Sequence, residues 1–289
     1  MSIVLLCNAK GSPGTTTAAL ALATAWPEDE AVLLAECDIS GGDLGAHYGL
    51  RGAPGIATLS MYIRRGVDIN DLNDHIQSLP HEVGLLVGVA GTQQGVALAP
   101  AWSHIAQLLN SYKGVVILDI GRIHADITCM TDLINIADLI LLVAKPGVAS
   151  VIHLRSAIEV LNTFNPTVKL LLIGEKPYGS VEIEEATGIE VAGVIAHDTH
   201  AAEGIELGLP LSLRSKLVRS AKNLADNLVG QLRSSAQRLA DNIDHDTEKQ
   251  PIETTEGETT YFRNTTPTIL LDNKRYRSVV SFNYQGGST

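Results

Sequence analysis

The first seventeen residues constrain the fold more than any other stretch of the chain. Ser2 to Thr17 reads SIVLLCNAKGSPGTTT: an apolar run of strand length, a tight turn rich in glycine and small residues, and the start of an Ala/Leu-rich helix. A buried strand that turns this sharply into a helix leaves several backbone N–H groups unpaired at the helix N-terminus, all pointing at one place. That place suits a phosphate.

The alternation begun there continues. Thr16 to Trp26 reads as a helix closed by Pro27, and Ala31 to Cys37 as a buried strand. Gly55 to Arg65 and Asp68 to Gln77 read as helices separated by Gly66, with Leu59, Ile63, Leu72 and Ile76 inward and Arg64 and Arg65 outward. Glu82 to Val89 is a strand, Ala90 to Gly95 a loop, and Ala99 to Ser111 a helix. Gly114 to Asp119, GVVILD, is an apolar strand whose last residue is an acid. Helices over Met130–Ile136, Val151–Asn162 and Val181–Thr187 alternate with strands over Ala137–Val143, Lys169–Gly174 and Val191–Ala196. Ser215 to Ile243 is the longest helical pattern, its apolar positions recurring at three and four residues. The fold class expected is α/β: an open, mostly parallel sheet with helices on both faces. It spans residues 1–243 and ends in a long C-terminal helix. Asp244 to Glu258 is polar, acidic and threonine-rich, and Tyr261 to Tyr284 holds short strand-like runs around Lys274–Arg277. Too short to bury a core, residues 244–289 read as a linker and tail, either disordered or a peptide that docks on a partner.

Composition narrows the function. A net charge of −11 opposes an extended grip on nucleic acid, which needs clustered cations. No apolar run reaches membrane-spanning length and no basic leader precedes a cleavage signal, so the expected location is the cytoplasm. The three cysteines, Cys7, Cys37 and Cys129, are too scattered for a metal site and read as buried thiols, and none of the nine histidines forms a ligand pair.

Ala9-Lys10-Gly11-Ser12-Pro13-Gly14-Thr15-Thr16-Thr17 resembles the phosphate loop of the ParA/MinD family of P-loop ATPases, whose deviant Walker A reads approximately G-K-G-G-x-G-K-T-[ST]. Lys10 falls on that family's signature lysine, which reaches the nucleotide of the opposite subunit, and Gly11, Gly14, Thr16 and Thr17 fall on their counterparts. Ala9 and Ser12 replace loop glycines. Thr15 replaces the lysine that pairs with the β- and γ-phosphates, and its hydroxyl cannot supply the lost charge. Glu36-Cys37-Asp38 resembles the D-x-D of switch I, and Asp119 the Walker B acid. Ala137–Val143 and Lys145–Ser150 resemble the strand and turn that follow switch II. Gly174-Glu175-Lys176-Pro177 lacks the family's adenine-contacting asparagine, and Ala196 stands where the element ending in His197-Asp198 has a proline.

The resemblance implies ATP and Mg²⁺ as cofactors. Lys10, Gly11, Ser12, Gly14, Thr15, Thr16 and Thr17 would bind nucleotide; Thr16, Asp38 and Asp119 would hold Mg²⁺; Asp38, orienting water, and Lys10 would be catalytic. It implies a homodimeric positioning switch with weak hydrolysis, acting in partitioning or in pilus or secretion localisation and nearest the TadZ/CpaE-like group. A pseudo-ATPase scaffold that recruits a protein partner through its C-terminal helix or tail is the alternative. DNA binding through Arg214, Lys216, Arg219 and Lys222 is a further one, disfavoured by the acidity. Arg122 is a candidate to reach a phosphate in place of the missing lysine. A P-loop ligase or amidotransferase would need an intact phosphate loop and is the least supported.

Overall fold

The computed structural model describes residues 2–27, 29–66, 72–123, 128–164 and 167–247, with side chains on the last helix through Ser234. Its strands are β1 (Ser2–Asn8), β2 (Val32–Glu36), β3 (Gln77–Ser78), β4 (Gly84–Leu86), β5 (Val115–Arg122), β6 (Leu139–Ala144), β7 (Thr167–Ile173) and β8 (Val191–Ile195). They form one sheet in the order β3-β4-β2-β5-β1-β6-β7-β8, parallel throughout except for the β3–β4 edge pair. The α/β expectation holds. β1 lies between β5 and β6, and the chain leaves it first toward β2 and only later builds the β6–β8 side. In such sheets the carboxyl ends of the strands at this reversal form the natural ligand crevice.

The helices are α1 (Thr15–Ala25), α2 (Leu44–His47), α3 (Ile56–Arg64), α4 (Thr92–Ala97), α5 (Trp102–Leu109), α6 (Thr131–Asn135), α7 (Val148–Leu161), α8 (Ser180–Thr187), α9 (Thr199–Glu206) and α10 (Lys216–Thr247). Strand alternation divides them into two layers. Ile3, Leu5 and Cys7 of β1 join a core with Trp102, Leu133 and Leu154 of α5, α6 and α7. Val4 and Leu6 face the other way, onto α1 and the buried stripe Leu217, Ala221, Leu224 and Leu228 of α10. α1 is buried along most of its length within this layer, and its sequence is correspondingly apolar on nearly every face.

Several local expectations are corrected. Of the helix read over Asp68–Gln77, residues 68–71 lie outside the described residues. The remainder is a 3-10 turn at Leu72–His75 followed by β3, because Gln77 pairs with β4 and its amide donates to the carbonyls of Arg51 and Pro54. The Ala90–Gly95 loop contains the start of α4, seated where Gly95 packs directly on the Ile39 backbone. β5 does not stop at Asp119 but runs on to Arg122, in register with Asn8. α9 escaped the sequence reading; Asp198 caps it by accepting a 3.1 Å hydrogen bond from the Ala201 N–H.

Residues Met1–Leu239 form one compact unit. The tail expected from residue 244 lies, from 248 onward, outside the described residues. No helix among the described residues is long and apolar enough to cross a membrane.

Candidate nucleotide site

At the carboxyl end of β1 the chain turns through Ala9–Gly14 into α1. Gly11 and Gly14 have φ of 73° and 106°, a left-handed backbone that side chains other than glycine rarely adopt. No atom lies within 4 Å of the place where either would carry a Cβ, so the loop faces open space. No side chain caps α1, and its first internal hydrogen bond runs from Ala18 N–H to Gly14 C=O. The N–H groups of the first turn therefore have no partner within the helix. Such unpaired first-turn N–H groups beside an open loop are what the sequence anticipated.

Thr15 has a second engagement. It is buried, and its hydroxyl accepts a 2.9 Å hydrogen bond from the side-chain amide of Asn8. Asn8 extends the helix-facing alternation of Val4 and Leu6, which places it beneath the start of α1. Its own carbonyl oxygen is buried without a partner. At the position that resembles the missing lysine, the side chain is thus tied to β1. Lys10 and Ser12 are exposed on the loop, while Thr16 and Thr17 are half-buried in the first turn.

Thr16 and Gly121 both act on the buried carboxyl of Asp119: the Thr16 hydroxyl draws its pKa down, and Gly121 N–H donates a 3.0 Å bond to it. Burial is the main force on this carboxyl and, with the charges of Asp38 and Glu36, pushes it up to about 6 against the pull of those two donors. Asp38 comes to the same place from β2. One of its oxygens accepts a 2.7 Å bond from Ser40 N–H, and its carboxylate lies against the α-carbon of Gly121, leaving no room for a side chain there. Gly121, at φ 61°, is thus glycine for both conformation and space.

Glu36, two residues earlier, plays a part that sequence reasoning missed. Its buried carboxyl accepts bonds from Leu44 N–H at 2.7 Å and Gly88 N–H at 3.1 Å, tying the end of the turn that follows Asp38 to the chain leaving β4. A methyl on Gly42 would come within 2.7 Å of it. Burial raises its pKa, although the two N–H donors oppose the rise. The sequence signal was an acid within an otherwise apolar strand. Asn8 sent the same signal, and neither was given a role of its own.

A cavity of about 200 Å³ adjoins the loop, lined by Lys10 to Pro13, by Lys145 at the end of β6, and by Ser150 and His153 of α7. Lys145 was read only as part of a turn, yet it is a second cation bordering the loop. Arg122 is exposed at the far end of β5, and no described contact brings it to the loop. Gly174 follows β7 with His197 beside it, so the side on which the sequence lacks an asparagine carries no substitute amide at that position.

Do these residues fit Mg²⁺ and a nucleotide? Among the described residues no group of three or more His, Cys, Asp or Glu is arranged to hold a metal alone. Mg²⁺ seldom needs one, since it binds through one or two carboxylates together with phosphate oxygens and water. Thr16, Asp119 and Asp38 provide that partial set next to an open anion-binding loop. Two things the fit would need are missing: the cation that Thr15 does not supply and the asparagine absent after β7.

No family model and no curated protein sequence matches the chain. Solved structures do. A ParA family ATPase from Chlorobium tepidum superposes with a TM-score of 0.66 at 20% identity, over 78% of this chain and 97% of that one. The septum site-determining protein MinD from Pyrococcus horikoshii, complexed with Mg-ADP, gives 0.66 at 18% identity over 78% and 95%. The MinC:MinD cell division protein complex from Aquifex aeolicus gives 0.63 at 20% over 80% and 96%. The chain therefore has the fold of the ParA and MinD ATPases.

Proposed function

We propose that the chain is an ATP-dependent positioning switch of the ParA/MinD kind, with a deviant Walker A loop and weak hydrolysis, acting as a homodimer in the cytoplasm. The observation that carries this reading is the meeting of Thr16 and Asp38 at the buried Asp119, with Asp38 closing on Gly121, the arrangement that a metal-bound triphosphate requires beside a phosphate loop. That the similar MinD structure holds Mg-ADP supports it.

When bound, Mg²⁺·ATP supplies the transferable phosphoryl group and part of its charge neutralisation. The loop from Lys10 to Gly14 and the first-turn N–H groups of Thr15 to Thr17 cradle the phosphates. Thr16 and Asp119 hold the metal, and Asp38 orients water toward the terminal phosphate. Lys10 and Lys145 are the cations at hand, and neither stands where Thr15 does. Hydrolysis is slow because the charge developing on the transferred group is under-compensated. The atypical loop favours the TadZ/CpaE-like group and a role in pilus or secretion localisation or in partitioning. Residues 1–243 are the ATPase domain, and 244–289 the segment offered to a partner.

One observation favours a second reading. Because the Thr15 side chain is tied by Asn8 to β1 and carries no positive charge, the loop has the character of one that has given up nucleotide, which would leave a scaffold recruiting partners through α10 and the tail. Calorimetry with Mg-ATP on the full chain, with Asp38→Ala to block turnover, separates the two. Saturable binding that Lys10→Ala abolishes supports the switch. Absence of heat at millimolar ATP refutes it and leaves the scaffold.

A further inference from the structure

On the flank of the molecule a segment of nine residues, 207–215, crosses from α9 to α10 and carries a leucine at every second position: Leu207, Leu209, Leu211 and Leu213. Only Leu211 is buried, at 4% exposure; Leu207 is 75% exposed and Leu209 54%. Exposed leucines on a loose loop would mean little, but this segment is fixed. The Tyr48 hydroxyl donates to Leu209 C=O at 3.2 Å, Leu209 N–H bonds Gly204 C=O at 2.9 Å, and His81 Nε2 lies 2.8 Å from Leu211 C=O. Gly208 rests on the His47 carbonyl. The leucines are held in place facing water, an arrangement whose ordering cost has already been met in folding.

Beside them is a groove of about 690 Å³ shared by α9, this segment and the start of α10. Leu207, Leu209 and Leu211 line it together with the cations Arg214, Lys216 and Arg219. It shares no residue with the cavity at the phosphate loop. Among the described residues, none of these three cations has an ion pair; two acids, Asp198 and Glu203, also line the groove, which leaves the cations in excess by one, and the first of these acids is already committed. Asp198 accepts from Ala201 N–H at the start of α9 and from Lys216 and Leu217 N–H at the start of α10. Burial pushes its carboxyl up, but those three donors bring it below the usual range. In a chain of net charge −11, three unpaired cations around a leucine-lined groove form a local reversal of the surface potential.

We infer that this groove docks a short acidic peptide segment of a partner protein, its carboxylates meeting Arg214, Lys216 and Arg219 and an apolar side chain seated on Leu207 and Leu209. The leucines decide against nucleic acid, whose phosphates need cations alone and whose extended charge the rest of this acidic surface repels. A groove of this volume takes about four to six residues, so rim charges set the choice of partner and its rate of arrival while the apolar anchor holds it. The inference does not depend on nucleotide binding.

The test uses the full chain and a displayed random dodecapeptide library. Recovered peptides are expected to be enriched in Asp and Glu around a large apolar residue. A labelled recovered peptide should bind the Lys216→Glu/Arg219→Glu variant at least about tenfold more weakly, and the Leu207→Ser/Leu209→Ser variant likewise. All four positions are exposed, and unchanged melting temperatures establish that the variants fold. Three results would overturn the inference: no acidic enrichment, indifference to the leucine variant, or tighter binding of short duplex DNA that depends on the cations but not on the leucines. Nucleotide binding measured on the same variants stays at wild-type level, so failure here is separate from failure of the ATPase reading.

Discussion

Replacing Asp119 with asparagine should make the nucleotide-free protein more stable while destroying its response to Mg-ATP. Asp119 is a fully enclosed carboxyl whose pKa rises from its ordinary 3.8 to about 6, first through burial and then through the charges of Asp38 and Glu36. A raised acid favours folding below its unfolded pKa, and that contribution is lost as pH rises through the folded value. Above about pH 6 the folded state carries a charge it would be better without, at a cost of about 3 kcal/mol. Asparagine is nearly isosteric and can keep an oxygen for Gly121 N–H, so Asp119→Asn removes the charge and little else. For a domain of this size the gain is about 6–12 °C in melting temperature near pH 7.5, shrinking toward zero as pH falls to about 4. Thermal unfolding followed from about pH 5 to pH 8, with and without Mg-ATP, reads both effects. An Asp119→Asn gain that is absent, or equal at both ends of this range, would show that buried charge is not what strains the site. Retained stabilisation by Mg-ATP would remove Asp119 from the metal site.

Three further outcomes follow from the same geometry. Gly121→Ala should push Asp38 off its seat and force a side chain into a left-handed backbone, costing about 1–3 kcal/mol in denaturant unfolding and most of any hydrolysis; wild-type turnover in this variant would mean Asp38 is not held where water is activated. Lys145→Met should weaken Mg-ATP binding by about tenfold with little change in stability, as expected of an exposed cation bordering the phosphates, and unchanged calorimetry would confine Lys145 to the turn. Thr15→Lys takes a partner from the buried amide of Asn8 and should cost about 1–3 kcal/mol of stability while tightening Mg-ATP binding; the double variant with Asn8→Ala should recover the stability and keep the affinity.

What could be read from the sequence follows from which signals are local. β1, β2, β5 and β6 are continuous apolar runs because parallel strands covered on both faces have no polar side to show, and each was placed within two or three residues. The long α10 was legible through its spaced Leu217, Ala221, Leu224 and Leu228. The losses fall where tertiary contacts override local pattern. Leu72 and Ile76 have helical spacing, yet that stretch becomes a 3-10 turn and an edge strand because β4 lies alongside. α4 was read as a loop because its glycine, Gly95, signals flexibility when alone and close packing only once Ile39 lies against it. α9 is short, and its cap is the Asp198 that was read for its place in a family element rather than as a helix start.

The same division runs through the site. Lys10, Gly11, Gly14, Thr16, Asp38 and Asp119 were singled out by their letters, and the fold brings Thr16, Asp38 and Asp119 together from three separate stretches of chain. What the letters could not convey is the imbalance among them. Glu36, Asp38 and Asp119 place three carboxyls around the turns after β2 and β5, and the position beside them where a lysine would offset this charge is a threonine bonded to Asn8. Without nucleotide, repulsion is relieved by partial protonation of Asp119, by Thr16, and by the backbone donors on Glu36, Asp38 and Asp119. The arrival of a divalent cation would relieve it far more. Such a site gains more from Mg²⁺ than from the triphosphate itself, which reverses the usual order of importance in a phosphate loop with its lysine in place. Nucleotide affinity should therefore depend on Mg²⁺ more steeply here than in a Thr15→Lys variant, where the lysine takes over part of the metal's work. A titration of Mg²⁺ at fixed ATP on the two proteins measures that difference directly, and equal dependence would mean that the three carboxyls do not act on the bound nucleotide at all.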